Sequence, residues 1–179
     1  MADHICPWWL GYLLVSPLRR LLENPEKLLS PFVRQGMTVV DYGCAMGFFT
    51  LPMARMVGSN GKVIAVDIQE KMLIRLRQRA ERTGLLDRIQ PARPEDVGKL
   101  KDGVVDFGAA IHVVHELSEP KTFFLDMRRV LKPGGKLLVV EPSFHVSRAD
   151  FEESIKCAVT AGFTPTIDAV TAGRAQVLQ

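Results

Sequence analysis

Along most of this chain, short β-rich runs alternate with amphipathic stretches of helical period, which restricts the fold to βαβ units around a largely parallel sheet. The runs that read as strands are 38–42, a second at 62–66, one near 88–92, then 104–111 and 136–140. Helical stretches separate them at 48–56, up to Thr83, and at 120–131, where Lys132-Pro133-Gly134-Gly135 signals a turn. After a further helix at 148–161 come Gly162 and two more β-rich runs, 164–170 and 174–178. Two strands joined by so short a turn form an antiparallel pair at one edge of the sheet.

A length of 179 residues suits one domain, and 47% apolar content is enough to build a core and argues against disorder. The net charge of +3 is too weak to imply nucleic acid by itself. Lys71, Arg75, Arg77, Arg79 and Arg82 are interleaved with Met72, Leu73, Ile74 and Leu76, so they read as the solvated face of one helix. Cys6, Cys44 and Cys157 are odd in number and far apart, which suits a reducing, cytoplasmic setting, and no Cys/His pair has zinc spacing, so no metal is expected. The apolar run 5–18 has only 14 residues and contains two prolines, whereas a membrane span needs about 20. A signal peptide carries positive charge before its apolar run, but here Asp3 and His4 precede it and Arg19 and Arg20 follow. Residues 1–36 therefore read as a helical arm or lid, with Pro25 in a first turn, on a domain spanning 37–179. Dimer contact and membrane-surface attachment are the other readings of the arm.

Between the first strand and the helix after it stands Asp41-x-Gly43-x-Ala45-x-Gly47. A strand that turns abruptly into a helix with a ligand against its backbone needs small residues, and the helix start offers free N–H groups. Asp67 closes the second strand 24 residues after Gly43, the position of an acidic residue that binds ribose hydroxyls. The dinucleotide pattern GxGxxG would need glycines at 43, 45 and 48, but Ala45 and Phe48 occupy the last two. Phe48 would obstruct a pyrophosphate, so a nucleoside cofactor without phosphates fits better than NAD.

VVDYGCAMGFFT resembles the first motif of the class I S-adenosylmethionine-dependent methyltransferases, and VIAVDIQEKM is similar to their second-strand acidic motif. VVDFGAAIHVVHELSEPKTFFLDMRRVLKPGGKLLVVEP resembles their fourth through fifth strands. The resemblance covers about 37–179. It implies a single-domain, Rossmann-like α/β fold: a seven-stranded mixed sheet, strand seven antiparallel, with helices on both faces. It implies S-adenosylmethionine as cofactor and S-adenosylhomocysteine as product. By position, the turn from Gly43 through Cys44, Ala45 and Gly47 lines the methionine part, and Asp41 organises the turn and approaches the amino group. Asp67 holds the ribose, Ile68 packs on adenine, and Ala110 and Ile111 touch the methionine segment. Ala45 replaces a usual glycine and is strained unless its φ is negative. Where the family often reads adenine through Gly-Asp-Ala, this chain has Ala92-Arg93-Pro94-Glu95-Asp96, which leaves Glu95 or Asp96 for that role.

His112, His115 and His145 follow strands four and five, whose carboxyl ends are where ligands bind in open α/β sheets. With Glu116 and Glu141 they are expected on the acceptor side, where His115 or His145 orients or deprotonates the acceptor. A metal held by His115, Glu116 and His145 is a lesser reading, and the bland one is satisfaction of loop backbone. No insertion offers a substrate domain, so the expected acceptor is a small molecule, with Trp8, Trp9 and Tyr12 of the arm lining its pocket. One alternative is an RNA or protein methyltransferase with an open site flanked by Arg19, Arg20, Arg128 and Arg129. Another is a non-catalytic relative that only binds the cofactor.

Overall fold

One six-stranded sheet organises the computed structural model, which describes residues 19, 23–167 and 174–179. Its strands are β1 (Thr38–Tyr42), β2 (Lys62–Val66), β3 (Ile89–Ala92), β4 (Val105–Ile111), β5 (Leu131–Glu141) and β6 (Arg174–Leu178), in the order β3-β2-β1-β4-β5-β6. All neighbouring pairs are parallel except β5 and β6. Because parallel strands are covered on both faces, they read as near-continuous apolar runs, and alternate residues separate into two cores. Val39, Val63, Ala65 and Phe107 face one core; Val40, Ile64, Val66 and Ala110 face the other.

Helices α1 (Pro25–Leu29), α2 (Thr50–Val57) and α3 (Glu70–Arg82) supply Leu29, Met53, Leu73 and Leu76 to the first core. Helices α4 (Pro94–Val97), α5 (Pro120–Val130) and α6 (Arg148–Thr160) supply Val97, Phe124, Met127 and Ala158 to the second. Local chemistry sets several helix ends. The Asn24 side chain accepts the Lys27 N–H ahead of Pro25 in the first turn, and Ser147 accepts from the Asp150 N–H. In α3 the buried residues are Met72, Leu73, Leu76 and Ala80, which leaves its lysine and arginines outside the core.

The sheet departs from expectation at its edge. Six strands form among the described residues, not seven. Residues 164–166 meet the chain end antiparallel: Thr164 N–H donates to Gln179 O at 2.7 Å and Gln179 N–H to Thr164 O at 2.9 Å. The contact is a single bridge between Pro165 and Leu178, with the Thr166 N–H donating to Val177 O at 2.8 Å, and 168–170 lie outside the described residues. Two boundaries also move: the helix expected from Phe48 begins at Thr50, and β5 starts at Leu131, taking in the Lys132–Gly135 turn signal.

Candidate active site

The first site element is the turn leaving β1. Val66 O, at the end of β2, accepts N–H groups from both Gly43 (2.8 Å) and Cys44 (2.9 Å), so the turn is pinned to the neighbouring strand. Gly43 and Gly47 have φ of 79° and 86°, and a Cβ on Gly43 would collide with Val113, on Gly47 with Leu76. Ala45 also turns left-handed, at φ 45°, which for a side-chain-bearing residue costs about 1–2 kcal/mol. Its N–H donates to Asp67 Oδ2 at 2.9 Å, an interaction that holds the strained conformation.

Asp67 is 9% exposed at the end of β2, and its other oxygen accepts the Gln69 N–H at 2.8 Å. Burial pushes its carboxyl up, against the pull of the two backbone N–H groups and Arg93. Each oxygen keeps a second lone pair, which fits a carboxylate accepting from vicinal hydroxyls. Ile68, beside it, is 51% exposed and offers an apolar surface. Asp41 is buried below the turn and accepts from Thr50 Oγ1 at 2.5 Å. Burial raises its carboxyl to about 7, with Thr50 lowering it and Asp67 raising it further. The same burial pushes the Cys44 thiol well up, with Asp41 and Asp67 adding to it, so the thiolate is disfavoured. Ala110 and Ile111 are buried at the end of β4. These features match an amino-acid-bearing nucleoside: a small-residue turn, a hydroxyl-binding carboxylate, an apolar shelf and a second, buried carboxylate.

The two candidates for reading adenine separate. Asp96 caps α4, its Oδ2 accepting the Arg93 N–H at 3.0 Å, and it pairs with Lys99 at 2.8 Å. The Lys99 hydrogen bond holds its carboxyl below the usual range. Glu95 is exposed, 3.9 Å from Arg93.

On the other side of the sheet's midline, β4 and β5 bring the histidines together. His112 has φ 60°, and its N–H donates to Val140 O at 2.7 Å. Arg19 Nη2 is 3.1 Å from its Nδ1, and Glu23 Oε1 is 3.5 Å from its Nε2. Burial pushes the ring's pKa down, with Glu23 opposing. Arg19 also pairs with Glu23 at 2.8 Å and lies 4.2 Å over the Phe48 ring. His115 stands in a short 3-10 turn (Val114–Glu116). Its backbone N–H donates to Glu141 Oε1 at 3.1 Å, and its Nδ1 is 2.6 Å from Glu141 Oε2. The Glu141 hydrogen bond is the main force raising the His115 pKa. The exposed His145 ring meets His115 edge-on with centroids 5.1 Å apart, and Glu116 Oε1 is 4.0 Å from His115 Nε2.

Sequence reasoning missed Glu23, Thr50 and Val113, and it offered Arg19 only as a flank of an open site, not as a partner of His112. Thr50 had a weak signal, a hydroxyl where a helix begins. Arg19 had none, since 93 residues separate it from His112. Trp8, Trp9 and Tyr12 lie outside the described residues, as does Arg20. Arg128 donates to Gly162 O, and Arg129 to Leu100 O and Asp102. Among the described residues, no group of three or more His, Cys, Asp or Glu side chains is arranged to hold a metal ion, and no helix is long and apolar enough to cross a membrane.

A family model described as a methyltransferase domain matches residues 40–139, which takes in the turn, Asp67, Ala110 and the three-histidine side as far as His115. The chain belongs to that family, the class I S-adenosylmethionine-dependent methyltransferases, whose cofactor is S-adenosylmethionine. The ubiquinone/menaquinone biosynthesis C-methyltransferase UbiE of Escherichia fergusonii is 34% identical over 110 residues, 61% of this chain and 44% of that protein. The chain thus matches less than half the length of that relative. Among solved structures, a methyltransferase from Aquifex aeolicus superposes with a TM-score of 0.84 at 29% identity, covering 97% of both chains. Aeropyrum pernix fibrillarin, solved with S-adenosylmethionine bound, shares the fold with a TM-score of 0.64 at 20% identity, over 96% of this chain and 76% of that one.

Proposed function

We propose that this protein transfers the methyl group of S-adenosylmethionine to a small-molecule acceptor and releases S-adenosylhomocysteine. The observation that carries the reading is Asp67, nearly buried, held at the glycine turn by the Ala45 N–H and flanked by the exposed Ile68. In this reading Gly43, Cys44, Ala45, Gly47, Ala110 and Ile111 enclose the methionine part, with Asp41 beneath. Glu95, the exposed member of its pair, reads adenine. His112, His115, His145, Glu116 and Glu141 form the acceptor side, and the arm of residues 1–36 covers it. That Arg19 and Glu23 engage His112 supports such a cover.

A small acceptor is favoured because Arg19, Arg128 and Arg129, the described ones among the four candidate contacts for nucleic acid, pair with Glu23, Gly162 and Asp102. UbiE, by its name a C-methyltransferase of quinone biosynthesis, also acts on a small molecule. Methyl transfer requires chiefly that acceptor, methyl and sulfur be aligned, and rigid strand ends suit that task. Calorimetry with S-adenosylmethionine, S-adenosylhomocysteine and NAD tests the proposal. Both sulfur nucleotides should bind and NAD should not; heat from NAD alone would overturn it.

A further inference from the structure

Glu141 is the most deeply buried ionisable group on the acceptor side, 1% exposed at the end of β5, and it spends both oxygens on one residue. One oxygen takes the His115 backbone N–H and the other faces Nδ1 at 2.6 Å. A carboxylate only accepts, so Nδ1 carries the ring proton and Nε2 is left with its lone pair. Among the described residues Nε2 makes no hydrogen bond; Glu116 Oε1 stands 4.0 Å away and the His145 ring packs edge-on. The arrangement of a buried acid, an oriented imidazole and an open ring nitrogen is that of a general base. Phe144, one residue before His145, is 93% exposed and gives this rim an apolar ring.

We propose that His115 Nε2 takes the proton from a phenolic or enolic acceptor during methyl transfer, with Glu141 as the residue that positions the ring. This rests on the methyltransferase reading above. As the bond from acceptor oxygen, or from the conjugated ring carbon, to the methyl forms, the sulfur–methyl bond breaks and its electron pair returns to sulfur. The acceptor's proton passes to Nε2. Glu141 and Glu116 stabilise the resulting imidazolium, which later loses its proton to water. The acceptor class follows from matching acidity. An aromatic thiol ionises unaided near neutral pH, and a neutral amine attacks through a lone pair that is already free. An aliphatic alcohol is a far weaker acid, so its proton transfer to an imidazole has less driving force. Phenols and enols lie between, and they gain most from the base. The charged groups facing His115 are Glu141 and Glu116, with the His145 and His112 rings nearby.

Nitrogen-15 spectra of the full chain, labelled at histidine and saturated with S-adenosylhomocysteine, read the geometry without turnover. His115 should show a bare Nε2 and a protonated Nδ1 at pH 8, and should titrate above the ordinary histidine value. Glu141→Gln keeps the side chain's shape but turns an amide N–H toward Nδ1, so the ring should switch tautomer and its titration should fall. A protonated Nε2 in the unaltered protein, or no switch in E141Q, overturns the proposal. Phenol, catechol and resorcinol then serve as acceptors, with thiophenol for contrast. His115→Gln should slow transfer to the hydroxyl probes by roughly 100-fold or more and change thiophenol methylation less than threefold. A protein that binds S-adenosylhomocysteine yet methylates none of the three hydroxyl probes overturns the acceptor class. Failure to bind S-adenosylhomocysteine instead overturns the methyltransferase reading.

Discussion

Arg19 Nη2 lies 3.1 Å from His112 Nδ1, so a guanidinium that can only donate holds that ring nitrogen as an acceptor. The ring proton is thereby placed on Nε2, toward Glu23 at 3.5 Å. His112 and His115 are three residues apart, yet they are locked into opposite tautomers by opposite partners.

The two histidines should pull stability in opposite directions. The folded pKa of His112 is lowered, so the unfolded chain binds more protons below 6.5 and stability is lost as pH falls through the folded value. The folded pKa of His115 is raised, so its contribution is complete below 6.5 and is lost as pH rises through the folded value. His112→Asn keeps a residue type that tolerates φ near 60° and should flatten the acid limb of the melting profile. Melts of both proteins between pH 5 and 7 that stay parallel would refute this.

Asp41 predicts a further pH effect. Its folded carboxyl titrates at about 7 against an ordinary 3.8, so the folded state keeps a proton that the unfolded chain has lost across that window. Stability from this group therefore declines as pH rises from 3.8 to 7 and changes little beyond. A cationic amino group arriving beside Asp41 favours the ionised form, so cofactor binding near pH 7 should release protons. Binding enthalpies in phosphate and in Tris should differ for the unaltered protein and coincide for Asp41→Asn. Equal enthalpies in both buffers for the unaltered protein would count against the role.

Replacing Asp67 with Asn turns an amide N–H toward one of the two backbone donors, Ala45 or Gln69, and removes the charge proposed to hold the ribose. Loss of charge-assisted hydrogen bonds of about 1.5–3 kcal/mol corresponds to roughly 10- to 100-fold weaker binding. Calorimetric titration with S-adenosylhomocysteine measures it, and an unchanged affinity would remove Asp67 from the site.

The glycine turn should answer oppositely to two small substitutions. Gly43→Ala puts a Cβ into Val113 at φ 79° and should lower the melting midpoint and abolish cofactor binding. Ala45→Gly relieves a left-handed penalty of about 1–2 kcal/mol against roughly 0.5–1 kcal/mol of added chain entropy. Its midpoint should rise by up to about 6 °C. A drop in midpoint for Ala45→Gly would show that the alanine methyl makes a contact worth more than the strain.

Much of the fold was legible because parallel strands buried on both faces leave apolar runs, and because Gly58, Gly84 and Gly162 end helices where the helical pattern ends. The edge was less so. Residues 164–170 carry β-formers, but among the described 164–167 only Pro165 forms a bridge, and the Thr166 carbonyl is taken by the Gln176 side chain, a partner that composition does not weigh. Asp96, a candidate adenine reader by sequence, stands three residues after Arg93, the spacing of a helix cap, and the structure uses it as one.

Sequence alone determined the turn from Asp41 to Gly47 and its partner Asp67, because both depend on local quantities: a backbone that must be left-handed, and the length of one βα unit. Tertiary structure decided which histidine could act. Glu141 reaches His115, and Arg19 reaches His112, only because β5 lies beside β4 and because Arg19 and Glu23 lie against the end of β4. A pairing across 26 or 93 residues is fixed by the order of strands in the sheet, and no local pattern encodes the state of an imidazole proton.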